Sequence, residues 1–396
     1  MSRLVLLVLL VGLCAGPGAG CERKRNPRLG PATSATSGPA TSATSGPAIG
    51  TSAAPAPLAE RPATGSLAPG SQAPSASPAS AAARSSQAGA GGELGQADVE
   101  ASGPETTRAG CALRGRPLRR AAPRRLVALG DIHGDVRALA AALEVAGAVN
   151  AQGRWIGEDL VVVQTGDLLD RGDDEQQVID WLERLEAEAS AAGGDLIWLL
   201  GNHELMNAAG DLRYVTSGGF ADFTDVPGLA LAPFSEVPER ARARVAAFAV
   251  RPVVGPYARI LSGQDTARIV GDTVFSHAGV LEEWAPLLAD VNLENRCFLA
   301  GASETFPRAL IDQSGPLWTR EWGLGEADCG ALRRVLAALG VERMVVGHTT
   351  QPSGITSACD GTLWRIDVGL GASYGGPIQV LEIDAQGARA LTGHRR

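Results

Sequence analysis

The stretch LVALGDIHGD, residues 126–135, begins as a buried strand and ends as something else. Leu126, Val127, Ala128 and Leu129 suit a sheet interior, but the run breaks into Asp131 and His133, two residues apart, and then Gly134. A carboxylate and an imidazole at one strand end make either an ordinary turn or part of a metal site. The choice depends on how the other strands end. They end alike: LVVVQTGDLLDRG (160–172), LIWLLGNHE (196–204), TVFSHAG (273–279) and MVVGHT (344–349). The chain has five histidines, and four of them (His133, His203, His277, His348) occupy these ends; the fifth, His394, lies in the tail. Ligands of α/β folds gather where side chains emerge beyond the carboxyl ends of strands.

Asp131 with His133, Asp167 with Asp170, Asn202 with His203, and the separate His277 and His348 offer carboxylate, imidazole and amide oxygen. That mixture suits Mn, Fe or Zn. The candidates are too many for one tetrahedral ion and fit two divalent ions sharing a carboxylate, a pair able to clamp a phosphate and generate a hydroxide nucleophile. The glycines beside them (Gly130, Gly134, Gly166, Gly172, Gly201) allow tight loops to approach such a cluster.

Around these motifs, short apolar runs alternate with Ala- and Leu-rich helical stretches. Strands are expected near 124–130, 158–166, 194–201, 273–279 and 342–348, and helices near 136–148, 174–189 and 327–339. Three tail strands (GITSACD, GTLWRIDVG, PIQVLEID) are close enough to pair as an antiparallel meander. The class is α/β, with sheets sandwiched between helices. Residues 208–255, rich in Ala and Pro, are expected as a helical cap over the cleft.

The first third of the chain differs. Residues 1–20 combine Arg3, the apolar run Leu4–Leu13 and small residues, which is the build of an export signal. The run is shorter than the about 20 residues needed to cross a bilayer. Cleavage before Cys21 would allow a lipidated membrane tether. Residues 21–110 are Ala, Ser, Thr, Gly and Pro with a direct repeat, ATSATSGP, at 32–39 and 40–47, and bury too little apolar surface to fold. They are expected as a disordered linker to a domain over 111–396. Cys111, Cys297, Cys329 and Cys359 permit three disulfide connectivities and contain no CxxC zinc spacing. The net charge of −8 argues against nucleic acid as a partner.

GDIHG, GDLLDRG, GNHE, a later His and a final GH resemble the motif series of the calcineurin-like metallophosphoesterases, and the DRG and GNHE forms narrow it to the phosphoprotein phosphatase type. SHAG (276–279), GPLWTRE (315–321), and VVGHTTQ with CDGTLWRIDVG across 345–369 resemble the Shewanella-like phosphatases, over essentially 125–385. The resemblance implies an αββα sandwich of two mixed sheets. It implies that Asp131, His133 and Asp167 hold one ion, and that Asp167 bridges to a second held by Asn202, His277 and His348. By the same resemblance His203 protonates the leaving oxygen, Asp170 orients His203, Arg171 and Arg320 bind the substrate phosphate, and the loop around Tyr374 closes one wall. The substrate is then a phosphorylated protein. Two alternatives stay open: the same chemistry on a nucleotide or other small phosphoester, and a surface-tethered binding protein without catalysis.

Overall fold

A computed structural model of the chain describes residues 111–113 and 116–395; the expected export signal, the linker and Cys21 lie outside the described residues. The strands are β1 Arg119–Arg120, β2 Arg125–Leu129, β3 Val161–Gln164, β4 Asp195–Trp198, β5 Ala267–Val270, β6 Thr273–Ser276, β7 Arg343–Val346, β8 Thr356–Ala358, β9 Leu363–Arg365, β10 Gln379–Asp384 and β11 Gly387–Thr392. They form a five-stranded sheet, β11-β10-β2-β3-β4, and a six-stranded sheet, β1-β5-β6-β7-β9-β8, each mixed in direction. The helices are α1 Val136–Val145, α2 Glu175–Ala191, α3 Asn202–Ala208, α4 Ser217–Ala221, α5 Glu239–Phe248, α6 Pro256–Leu261, α7 Leu288–Leu299, α8 Arg308–Ile311 and α9 Cys329–Leu339.

The strand pleat explains the layering. Leu126 and Ala128 of β2, with Val161 and Val163 of β3, pack against Phe275, Val345 and Ile366 from the other sheet. The alternate residues Val127, Leu129 and Val162 face the opposite way, against Leu139 and Leu143 of α1 and Ile179 and Leu182 of α2. Strands buried on both faces read as unbroken apolar runs, as these do. Asp135 caps α1, its carboxylate accepting from the amides of Arg137 and Ala138 at 3.0 and 2.9 Å. The fold is thus two mixed sheets flanked by helices.

The tail departs from the expected meander. β8 and β9 pair antiparallel in the six-stranded sheet, but β10 crosses to the other sheet and inserts between β2 and β11. Val380 packs on the helix side and Leu381 between the sheets, so β10 needs cover on both faces. The cysteines pair as Cys111–Cys297, which fastens the residues before β1 to α7, and Cys329–Cys359.

The candidate dimetal site

β2, β3 and β4 run parallel, as do β6 and β7, so their carboxyl ends open in register. Asp131 and His133 follow β2, Asp167, Asp170 and Arg171 follow β3, Asn202 and His203 follow β4, His277 follows β6 and His348 follows β7. His133, Asp167, Asp170, Arg171 and His348 all have positive φ, between 51° and 67°. Left-handed backbone costs a non-glycine residue about 1–3 kcal/mol and persists where the surroundings hold it, typically at functional sites. Gly201 permits a close approach: a Cβ there would land on the Asp167 carboxylate.

Two three-residue clusters share Asp167. One is His133, Asp167 and His203; the other is Asp167, His277 and His348, and all of these side chains are buried. His277 Nε2 lies 3.0 Å from Asn202 Oδ1, 3.1 Å from His348 Nδ1 and 3.3 Å from Asp167 Oδ2. The remaining ring nitrogens are committed elsewhere. His277 Nδ1 donates to Thr165 O (2.9 Å), His133 Nδ1 to Leu169 O (2.9 Å) and His348 Nε2 to Trp318 O (3.2 Å). With those protons so placed, lone pairs on His277 Nε2, His348 Nδ1 and His133 Nε2 face the carboxylate and amide oxygens. This is how metal-ligating imidazoles are oriented, and the donor set fits two divalent cations. Asp131 is in neither cluster; both its oxygens accept the His348 amide, at 3.2 and 3.1 Å.

Charge in this pocket is unevenly tolerated. Burial, with repulsion from Asp367 and Asp167, pushes Asp131 well above the usual carboxylate range. Burial also opposes ionisation of Asp167, yet His277 and His203, when protonated, hold it well below that range. Burial lowers His133 to about 4. It acts on His203 too, but the Asp167 charge and the Asp170 hydrogen bond outweigh it and raise the ring above its ordinary value.

His203 differs from the other three imidazoles in what holds it. Its Nδ1 meets a carboxylate, Asp170 Oδ2, at 2.5 Å, and its Nε2 faces the cluster, 3.7 Å from Asp167 Oδ2. The Arg171 guanidinium lies 4.6 Å from the Tyr214 ring and 5.4 Å from the Tyr374 ring, and its buried Nε makes no hydrogen bond among the described residues. Those rings in turn stand beside His203 (5.1 Å) and His133 (5.4 Å). Arg320 is exposed and tied to His348 O and Thr349 Oγ1 at 3.1 Å each. A cavity of about 790 Å³ runs from His133 and Arg171 past Thr216 and Ser373 towards Arg137 and Arg395.

Several supporting residues escape sequence reasoning. Glu204, fully buried, accepts from the amides of Gly201, Asp167, Leu168 and Leu169 at 2.6–3.2 Å and so clamps the loop carrying Asp167. It is the last residue of GNHE, and the motif itself was its signal. Asp367, which repels Asp131, accepts from Thr350 Oγ1 and the Gly369 amide. Tyr214, Asn207, Glu175 and Arg244 reach the site from outside the strand-end motifs.

A buried carboxylate shared by two imidazole clusters, beside an arginine whose Nε has no hydrogen-bond partner among the described residues, fits a metal-dependent phosphoesterase. Sequence comparison agrees. The family model described as calcineurin-like phosphoesterase matches residues 124–352. Shewanella-like protein phosphatase 2 of Arabidopsis thaliana is 37% identical over 308 residues, 68% of this chain and 78% of that protein. Shewanella-like protein phosphatase 1 of Plasmodium berghei is 27% identical over 281 residues, 67% of this chain and 74% of that one. The chain belongs to the calcineurin-like phosphoesterase family, and it is a hydrolase. Among solved structures, the cold-active protein-tyrosine phosphatase of a psychrophilic Shewanella species shares the fold, with a TM-score of 0.58 at 23% identity over 70% of this chain and 83% of that one.

Proposed function

We propose that the protein is an exported phosphatase acting on phosphorylated proteins, with phosphotyrosine the preferred residue. The observation that carries the catalytic reading is Asp167, common to both clusters and 3.7 Å from a histidine whose far nitrogen rests on a carboxylate. Asp131, His133 and Asp167 would hold one divalent ion, and Asp167, Asn202, His277 and His348 the second. Bound there, the ions supply Lewis acidity towards a phosphoryl oxygen and lower the pKa of the attacking water. Arg171 presents its fork to the phosphate, using the Nε donor that has no partner among the described residues. Arg320, anchored to His348 O and Thr349 Oγ1, would be the second arginine for the phosphate. His203 donates from Nε2 to the departing oxygen. Asp170 supports that role because a carboxylate at Nδ1 favours the imidazolium, whereas the ligand histidines lean on neutral carbonyls.

The substrate reading rests on the walls. Only three tyrosines occur in the chain, and two of them, Tyr214 and Tyr374, flank Arg171. Such a slot suits an aryl phosphate, with the adjoining cavity taking the peptide beside it. Both named relatives are protein phosphatases. The export reading is supported by the two disulfides, which pair every cysteine among the described residues, since such bonds persist in oxidising compartments. A lipidated Cys21 would make the linker a membrane tether.

Full-length protein with its disulfides intact would be stripped of metal, resupplied with Mn, Fe or Zn, and offered phosphotyrosine and phosphothreonine peptides, a nucleoside monophosphate and a phosphodiester. Metal-dependent phosphate release from the phosphotyrosine peptide, abolished in His203→Asn, is expected. Turnover of the nucleotide or diester alone would transfer the function to small molecules. No turnover with both ions bound would leave a tethered binding protein.

A further inference from the structure

Helix α5 carries three arginines, and one of them is out of place for a surface helix. Arg240 is exposed and Arg242 partly so, but Arg244 is fully buried. All five of its N–H groups are used. Nε donates to Asn207 Oδ1 (2.8 Å); one terminal nitrogen donates to Glu175 Oε2 and to Gly219 O (2.9 Å). The other donates to Glu175 Oε1 (2.8 Å) and to Asp170 Oδ1 (3.1 Å). The rings of Phe223 and Phe248 flank the guanidinium at 5.2 and 5.4 Å.

Stability alone is a weak reason for this arrangement. Withdrawing a guanidinium and two carboxylates from water costs several kcal/mol per ion, and well-packed apolar side chains of similar volume usually serve stability as well or better. An apolar residue at 244 would still pack against the rings of Phe223 and Phe248. It would not hold Asp170. The two Asp170 oxygens are divided: Oδ2 faces His203 Nδ1, and Oδ1 accepts from Arg244 and from Asn207 Nδ2 (3.0 Å). Asn207 is itself gripped by Arg244 Nε. With Oδ1 held by two donors the carboxylate does not turn about its Cβ–Cγ bond, and Oδ2 stays against the imidazole.

We propose that Arg244 is a positioning residue for proton donation: it fixes the Asp170 carboxylate and, through it, the orientation of His203. The segment between α3 and α6 thereby forms the back wall of the acid pair, and Asp170 and Glu175 are the two carboxylates on the phosphatase body that draw it in. This rests on the acid role given to His203 above, and the experiment separates the two.

Full-length Arg244→Met and Arg244→Lys would be made in the wild-type and Asp170→Asn backgrounds. They would be loaded with Mn and assayed on phenyl phosphate and on 2,4-dinitrophenyl phosphate. The phenolate leaving from the first needs a proton; the dinitrophenolate does not. A positioned acid contributes about 10²–10⁴-fold, so Arg244→Met should lower kcat on phenyl phosphate by about tenfold or more, with KM little changed and dinitrophenyl phosphate nearly untouched. Arg244→Lys, which keeps the charge but not the fork, should show a smaller loss of the same selectivity, and it carries the test if the Met variant fails to fold. In the Asp170→Asn background the selective loss should vanish. Equal losses on both esters, or an undiminished selective loss in that background, would overturn the positioning role while leaving the phosphatase intact. Failure of the wild type on both esters would overturn it together with the catalytic reading.

Discussion

Asp170→Asn tests the acid pair most directly, because the surroundings dictate which way the new amide must face. Arg244 and Asn207 present only N–H groups to Oδ1, so the amide oxygen has to occupy that position. The amide nitrogen is then left facing His203 Nδ1. A donor there forces Nδ1 to become an acceptor, which is incompatible with the imidazolium that donates to the leaving oxygen. Loss of a positioned general acid costs about 10²–10⁴-fold, or roughly 3–5 kcal/mol at 1.36 kcal/mol per decade. Asp170 lies outside both ligand clusters, so metal content should be unchanged. The assay is kcat on a phosphotyrosine peptide at saturating Mn, with bound metal measured in the same samples. A variant that keeps more than about a tenth of wild-type kcat with full metal content would show that His203 is not the acid. In that case its 3.7 Å approach to Asp167 is better read as ligation.

Metal should stabilise the fold, since a cation offsets the burial and the carboxylate repulsion that raise Asp131; at a hundredfold excess over Kd the gain is about 2.7 kcal/mol, and a thermal midpoint indifferent to chelator would refute the site. Glu175 gives a pH signature: burial, opposed by Arg244, pushes its carboxyl up to about 7 from 4.5. Between those values the folded chain holds a proton that the unfolded chain has released. This contribution is therefore full below 4.5 and lost as pH rises through about 7, amounting to about 3 kcal/mol. Urea unfolding of wild type and Glu175→Gln should show it as a gap that changes between about pH 5 and pH 8, and a constant gap would refute it. Replacing Cys329 and Cys359 together by Ser removes a bond spanning 30 residues and should cost about 2–4 kcal/mol in urea, whereas an unchanged midpoint would show that the pair does not form.

The parts of the fold that could be read from the sequence are those where local pattern and packing agree. β2, β3, β6 and β7 are apolar runs because both of their faces are covered, and each ends at a chemically distinct loop. β5 was not legible: it has four residues with Arg268 among them, and that side chain is tied to Pro117 O and Asp265. β1 has two residues and exists through its pairing with β5. The tail misled because sequence proximity favours a meander, while the choice of sheet for β10 turns on Val380 and Leu381 packing into different layers.

The same distinction separates the candidate site residues legible in the sequence from those that are not. A strand-end ligand announces itself, since an apolar run must stop at Asp, Asn or His for its side chain to leave the sheet. Nothing local marks Arg244 in ERARARVAAF, where three arginines alternate with small residues. Its inward turn is decided by Asp170, 74 positions earlier, and Glu175, 69 positions earlier, both buried. Tyr214 is similar: its place beside Arg171 follows from the Arg171 amide donating to its carbonyl at 3.1 Å, a contact between a β3 loop and the segment before α4. The candidate ligands sit on rigid strand ends and can be inferred one strand at a time. The groups that orient them, and that wall the cavity beside Arg171, come from elements that must first fold over them. Substitutions in 208–255 should accordingly alter proton donation and substrate choice before they alter metal binding.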